Sequence, residues 1–414
     1  MARRKPRNRI YWRSQGRARR AYGDFRDYSD VGGGREALIA PGEARATTDP
    51  DVAQKLVADR VKELESRRRN KTLLGLERPA RLGEFAQHHL TEKAKSGNVS
   101  EAWLAQSQYQ LQAALEFLGD RDLTSIRVYD VQRFANHLRQ LGNGRGGKLS
   151  SATIRLYLNS LSNLYTRAAS EGCVPPGYNP VSAIMDKPVA RRREARWLEI
   201  HEAALLLESA RIYRPQADAF PFMYPLLATF LLTGGRKAEV LGLEVEDVSF
   251  DRRTVTFRPN KWRGLKTSTS HRSVPLWPQV EEILREYVFG GEAPLGSLLF
   301  PSARGREDLM ITDLRKSLDA IAAKAGWKAG EIRTKIFRHT YCATRLQTLD
   351  RGAPVSEYTV AKELGHGGRA MVERVYGHLG QVRHRAEVVE YRVEQHRDVL
   401  GERLTALQAS GATR

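Results

Sequence analysis

The sequence predicts a multi-domain protein, mainly α with small β-sheets. Three observations predict it. Apolar residues recur at helical spacing through residues 81–185 and again in much of the chain beyond Trp197. Strand-like patterns are short, and the clearest pair, Thr254-Val255-Thr256-Phe257 and Arg272-Ser273-Val274-Pro275-Leu276, reads as a hairpin. A basic stretch with a proline, 186–193, separates two apolar-rich regions and marks a domain boundary. The 414 residues suffice for two or three domains, and a 41% hydrophobic content supports packed cores rather than global disorder.

In chain order, residues 1–71 open on a basic run. Strand-like Ile10-Tyr11-Trp12 and Ala21-Tyr22-Gly23-Asp24-Phe25 follow, then a Gly32-Gly33-Gly34 break. Thr48-Asp49-Pro50-Asp51 carries a capping residue and a first-turn proline, and Val52, Leu56, Val57, Val61 and Leu64 then recur as one helix face. Arg67-Arg68-Arg69-Asn70-Lys71 reads as a linker. Residues 80–186 read as a helical domain. Its first helix is marked by Leu82, Phe85 and Leu90, its second by Trp103, Leu104, Leu111, Leu115 and Leu118. The third carries Val128, Val131, Phe134 and Leu138, with Asp122 or Thr124 as its cap, and the fourth starts at Ser150-Ser151. Residues 187–196 form a linker. Beyond it, helices mix with the hairpin, whose tip, 261–271, is basic and rich in Ser and Thr. After about residue 381, Val382, Ala386, Val389, Val393, Leu400 and Leu404 suggest a helical tail that packs on its own domain or on a neighbouring protomer.

Charge points to the partner. The chain has 68 Lys and Arg against 48 Asp and Glu, a formal net charge of +20. Cations that neutralise phosphates release condensed counterions, so a nucleic acid is favoured over a merely solvated basic surface or an acidic membrane. Cys173 and Cys342 form no CxxC pattern, which excludes a disulfide framework and a cysteine zinc site. No apolar run follows the basic N-terminus and none reaches membrane-spanning length, so the expected place is the cytoplasm, with the nucleoid.

Breaking a phosphodiester needs a nucleophile, a charge clamp and an acid for the leaving oxygen. No acidic cluster has metal-ligand spacing, so no metal is expected, and the clamp falls to arginine, whose planar fork suits phosphate. The strings that qualify are Leu231-Leu232-Thr233-Gly234-Gly235-Arg236-Lys237-Ala238-Glu239, Ile336-Phe337-Arg338-His339-Thr340-Tyr341, and Leu364-Gly365-His366 followed by Tyr376. With Lys266-Thr267 before the second strand, they stand in the order of the signature boxes of the tyrosine recombinases (phage integrases). The chain resembles that family over 197–380.

The resemblance implies a mixed α/β, mainly α, catalytic domain at 197–380. It also implies a helical core-binding domain at 80–186 and a small N-terminal β-α arm-like DNA-binding module at 1–71, with the C-terminal helical tail at 381–414. It casts Tyr376 as nucleophile, Arg236 and Arg338 as the phosphate clamp, His366 as a hydrogen-bonding partner of the phosphate, and Lys266 as the acid. Glu239 and His339 support them. Where the family usually has histidine, three residues before Arg338, this chain has Lys335. Lysine, with a reference pKa of about 10.4, is a poor neutral base, so Lys335 is read as a phosphate contact. Tyr341 and Tyr358 are the competing nucleophiles. Arg191, Arg192, Arg193, Lys261 and Arg263 are read as DNA contacts. The family further implies a site-specific recombinase that works through a 3′-phosphotyrosyl intermediate without metal or ATP, as a homotetramer on paired duplex sites, with accessory DNA-bending proteins as further partners. Three other readings compete: a non-catalytic DNA-binding protein on the same scaffold, a type IB topoisomerase-like enzyme, and an RNA-binding structural protein.

Overall fold

The computed structural model describes residues 9–15, 18–74, 80–144, 146–189, 195–213, 222–265, 268–290, 296–302, 309–376 and 387–412. They fall into two compact units, one within 1–192 and the other within 193–414.

The first unit opens with an antiparallel sheet of β1 (Ile10–Gln15), β2 (Ala18–Asp24) and β3 (Arg35–Ala37), in the order β1-β2-β3. Helix α1 (Pro50–Leu74) starts where expected: Asp49 Oδ1 accepts the backbone N–H of Asp51 at 2.8 Å and of Val52 at 3.2 Å. Ala21, Phe25, Tyr28, Val31, Leu38, Ala53 and Leu64 form the core of this piece. The linker expected at 67–71 is instead the continuation of α1. Arg67 is buried there, with Nε 2.8 Å from Asp122 Oδ1 and Nη1 donating to Val31 O at 3.4 Å. A charge run that looks solvated in sequence thus supplies an ion pair between α1 and the helical region, beside that of Glu63 with Arg81.

That region contains α2 (Leu82–Lys95), α3 (Glu101–Leu118), α4 (Val128–Gln140) and α5 (Ser151–Ser170) around a second core that includes Leu111, Phe134, Leu161 and Tyr165. Ser100 and Ser150 cap α3 and α5 by accepting the N–H groups of Trp103 and Thr153. Neither Asp122 nor Thr124 caps the third helix. Asp122 is engaged by Arg67, and α4 starts later, where the Asp130 carboxylate accepts the Arg127 N–H at 2.9 Å.

The second unit comprises α6 (Ile200–Arg211), α7 (Met223–Thr233), α8 (Lys237–Leu241) and the sheet β4 (Val248–Ser249), β5 (Thr254–Phe257) and β6 (Arg272–Pro275). There follow α9 (Pro278–Phe289), α10 (Arg315–Lys324), α11 (Thr334–Leu346), the short pair β7 (Leu349–Asp350) and β8 (Ala353–Pro354), α12 (Glu357–Glu363), α13 (Ala370–Tyr376) and α14 (Arg397–Ala412). The β5–β6 hairpin pairs Val255 with Val274 and Phe257 with Arg272, as the alternation predicts, and β4 adds a third strand. Helix α7 is apolar on nearly every side because it runs through the core, packed against α6, α9 and α11. The tail packs on its own unit: Leu400, Leu404 and Leu407 are buried in that core, and Arg403 donates to Ala325 O at 2.8 Å. No helix among the described residues is long and apolar enough to cross a membrane.

Candidate active site

The site forms where α7, α8, β6, α11 and the end of α12 converge. Helix α7 stops at Gly234, whose φ of +62° suits glycine. A Cβ there would lie 2.6 Å from Tyr341 Cδ1, and one on Gly235 would lie 2.5 Å from Val240 Cγ2. The two glycines let the chain turn sharply against α11 and start α8 at once. Arg236 occupies the N-cap of α8, and Glu239, one turn on, accepts its backbone N–H at 2.8 Å and its Nη1 at 2.7 Å.

Long-range contacts then gather the other groups. Arg236 Nη1 donates to Ser270 Oγ at 3.2 Å and Nη2 to Gly365 O at 3.3 Å. Arg338 Nη1 donates to Gly234 O at 2.8 Å, while its Nη2 reaches both Leu364 O and, at 3.0 Å, His366 Nε2. Guanidinium has only donors, so His366 Nε2 accepts and its proton sits on Nδ1. That Nδ1 is buried and has no partner among the described residues. Sequence reasoning passed over Arg272. It lies in β6, is buried, and donates Nη2 to Glu239 Oε2 at 2.8 Å, Nη1 to Ser270 O at 2.8 Å and Nε to Glu363 O at 2.6 Å. A clue was present: Arg272 shares the inward face of its strand with Val274, and an arginine on that face needs a buried partner.

Arg236 and Arg272 both pair with the Glu239 carboxylate, and Arg338 adds a third guanidinium beside His366, which leaves an excess of positive charge in a half-buried setting. Burial, then repulsion from Arg236 and Arg272, pushes Arg338 down to about 9, which leaves it charged at neutral pH. Burial, then the charges of Arg338, Arg236 and Arg272, hold His366 at about 4, so it is neutral. Burial alone would raise Glu239, but its bonds to Arg272 and Arg236 prevail and hold it at about 2. Such a setting is complementary to a phosphate anion.

Since Glu239 ordinarily titrates near 4.5, its contribution to stability is complete above that pH and is lost as pH falls toward about 2. Glu239→Gln is expected to cost about 3 kcal/mol at neutral pH. Denaturant unfolding across pH should show that gap closing as pH approaches 2, where the native carboxyl is protonated too. A gap of constant size would remove the linkage.

The other expected residues are placed less centrally. Lys335 is exposed on the first turn of α11, three residues before Arg338. His339 is half-buried, and burial followed by the charges of Lys335 and Arg338 holds it at about 4. Tyr376 is the last residue of α13; its side chain lies outside the described residues, as do Lys266 and Arg191, Arg192 and Arg193. Lys261 is exposed, with Nζ 4.5 Å from the Trp262 ring centroid. Arg263 does not present its charge to solvent as a DNA contact would. It is buried, donates Nε to Gly242 O at 3.1 Å and lies 3.7 Å from Asp247, because its stem packs on the bare Cα of Gly242. Of the competing nucleophiles, Tyr341 is sealed in the core and donates to Glu363 Oε2 at 2.8 Å, whereas Tyr358 is exposed on α12. No group of three or more His, Cys, Asp or Glu among the described residues could hold a metal ion.

Comparison with known proteins agrees with this architecture. Residues 197–382 match the model of the phage integrase family. Tyrosine recombinase XerD of Mycobacterium tuberculosis is 29% identical over 260 residues, which cover 61% of this chain and 78% of the relative. Tyrosine recombinase XerC of Mycobacterium sp. (strain JLS) is 26% identical over 317 residues, 74% of this chain and 96% of the relative. In fold, the chain is similar to a lambda integrase dimer bound to a COC′ core site, with a TM-score of 0.54 and 16% identity over 92% of this chain and 97% of that one. It is also similar to the Tn1549 transposon integrase in complex with a circular intermediate DNA, with a TM-score of 0.56 and 18% identity over 70% and 94%. Residues 197–382 thus match the phage integrase family, and the chain is similar to tyrosine recombinases beyond that segment.

Proposed function

We propose that this protein is a site-specific DNA recombinase that cuts and rejoins duplex DNA through a 3′-phosphotyrosyl intermediate. The observation that carries the reading is the convergence of Arg236, Arg338 and His366 from segments far apart in the chain into one electropositive cluster. Arg236 and Arg338 clamp the non-bridging oxygens of the scissile phosphate. His366, neutral and held against Arg338, completes the clamp, and Lys335 adds charge at the rim. The Tyr376 phenol gives up its proton to solvent as its oxygen attacks phosphorus, the bond to the 5′ oxygen breaks, and Lys266 supplies the proton that this oxygen takes. A 5′ hydroxyl from a partner strand reverses the step and joins the strands anew. The bond energy is held in the phosphotyrosyl link, so the cycle calls for neither ATP nor metal.

The same reading makes residues 80–186 a second DNA-binding domain, residues 1–71 an arm-like module, and the working assembly a homotetramer on paired sites. One solved relative is a lambda integrase tetramer bound to a Holliday junction, at a TM-score of 0.53. The direct test is to trap the protein on nicked duplex fragments, digest it, and sequence both the attached DNA and the modified peptide. A phosphotyrosyl peptide ending α13 at Tyr376 is expected; attachment at any other residue overturns the assignment. Duplex binding should also weaken steeply with salt, because a clamp touching many phosphates releases many counterions. Gel-shift affinities that stay flat as salt rises would count against the clamp.

A further inference from the structure

Glu363 ends α12, and its carboxylate is buried. Tyr341 donates to its Oε2 at 2.8 Å, and Arg345 grips the same carboxylate with Nε at 3.0 Å from Oε2 and Nη2 at 2.9 Å from Oε1. Tyr341 and Arg345 follow Arg338 on one face of α11. Beyond the carboxylate, the backbone presents three consecutive carbonyls, and each accepts from a different guanidinium. Glu363 O accepts from Arg272 Nε at 2.6 Å, Leu364 O from Arg338 Nη2, and Gly365 O from Arg236 Nη2 at 3.3 Å. His366 comes next.

We propose that Glu363 is a positioning residue of the phosphate clamp: by pinning residues 363–365 to the helix that carries Arg338, it sets where Arg236, Arg272, Arg338 and His366 stand before any phosphate arrives. The inference rests on the clamp reading given above. Left alone, three like charges on long side chains separate. Fixed carbonyl dipoles hold them together, and donors held in place need no rearrangement when the anion enters. Loosening the turn therefore weakens anion binding although every donor is still present.

The test follows the His366 imidazole signal, assigned through His366→Gln, in protein carrying 15N-histidine and titrated with inorganic phosphate. Glu363→Gln is expected to weaken phosphate about tenfold, the low end of what supporting partners cost at other charged sites. Tyr341→Phe removes one bond and leaves the Arg345 pair, so it is expected to act in the same direction by a smaller factor; it decides the matter if Glu363→Gln fails to fold. Ser209→Ala breaks a buried hydrogen bond to Ile321 O elsewhere in the unit and should leave the phosphate response unchanged. Wild-type binding in the Glu363 and Tyr341 variants, with binding lost in Arg338→Ala, overturns the positioning role and leaves the clamp standing. An equal loss in Ser209→Ala also overturns it, since stability alone would then explain the effect. Undiminished binding in Arg338→Ala, or none in the native protein, brings down the clamp and the positioning role with it.

Discussion

Replacing Tyr376 by phenylalanine is expected to abolish covalent attachment to DNA while leaving duplex binding unchanged. The substitution removes a single oxygen, the atom that attacks phosphorus, and keeps the ring. The clamp should stay in place, because Arg236 is held by Glu239, Ser270 and Gly365 O, and Arg338 by Gly234 O, Leu364 O and His366. The measurement is a denaturing gel of the protein incubated with nicked duplex, beside a native gel shift. Tyr358→Phe is the matched control, since Tyr358 is exposed and stands before His366. It should form adduct normally. Adduct in the Tyr376 variant, or its loss in the Tyr358 variant, would move the nucleophile elsewhere. Tyr341 is no alternative: it is fully buried, and burial and the charge of Glu363 raise its phenol well above the ordinary value.

Arg338→Ala is expected to slow adduct formation by about 10²–10³-fold, the effect of losing one preorganised donor to a developing oxyanion. Arg338 is held in place by Gly234 O, Leu364 O and His366, so its charge is aimed before substrate binds. Duplex affinity should fall much less, because one phosphate contact among many is removed. Arg338→Lys keeps the charge but loses the planar fork, and it should recover only part of the rate. Single-turnover rates on nicked duplex, compared at matched salt, separate these cases. A rate for the alanine variant equal to that of the native protein would exclude Arg338 from the chemistry.

Much of the protein was legible in its residues because the relevant rules are local. Ser150 and Asp49 cap helices within a few positions of themselves, and the Val255 and Phe257 alternation sets the face of a hairpin. Likewise Gly234-Gly235-Arg236 and its Glu239 form a unit within one turn, so the resemblance of that short string to a family signature could place the pair. The third-helix cap and the 67–71 linker were misread because Asp122 and Arg67 are governed by each other, 55 positions apart in the chain and joined across 2.8 Å.

The sequence by itself determined the helices, the hairpin, the basic balance and the order of the strings that carry Arg236, Arg338 and His366. Only the tertiary structure decided that Arg263 points inward, that Tyr341 is sealed, and that Arg272 and Glu363 belong with the clamp. The physical reason is distance along the chain. Whether a long cation meets water, a carboxylate or a backbone carbonyl depends on which segment the fold brings within about 3 Å, and no local rule of spacing or propensity carries that information.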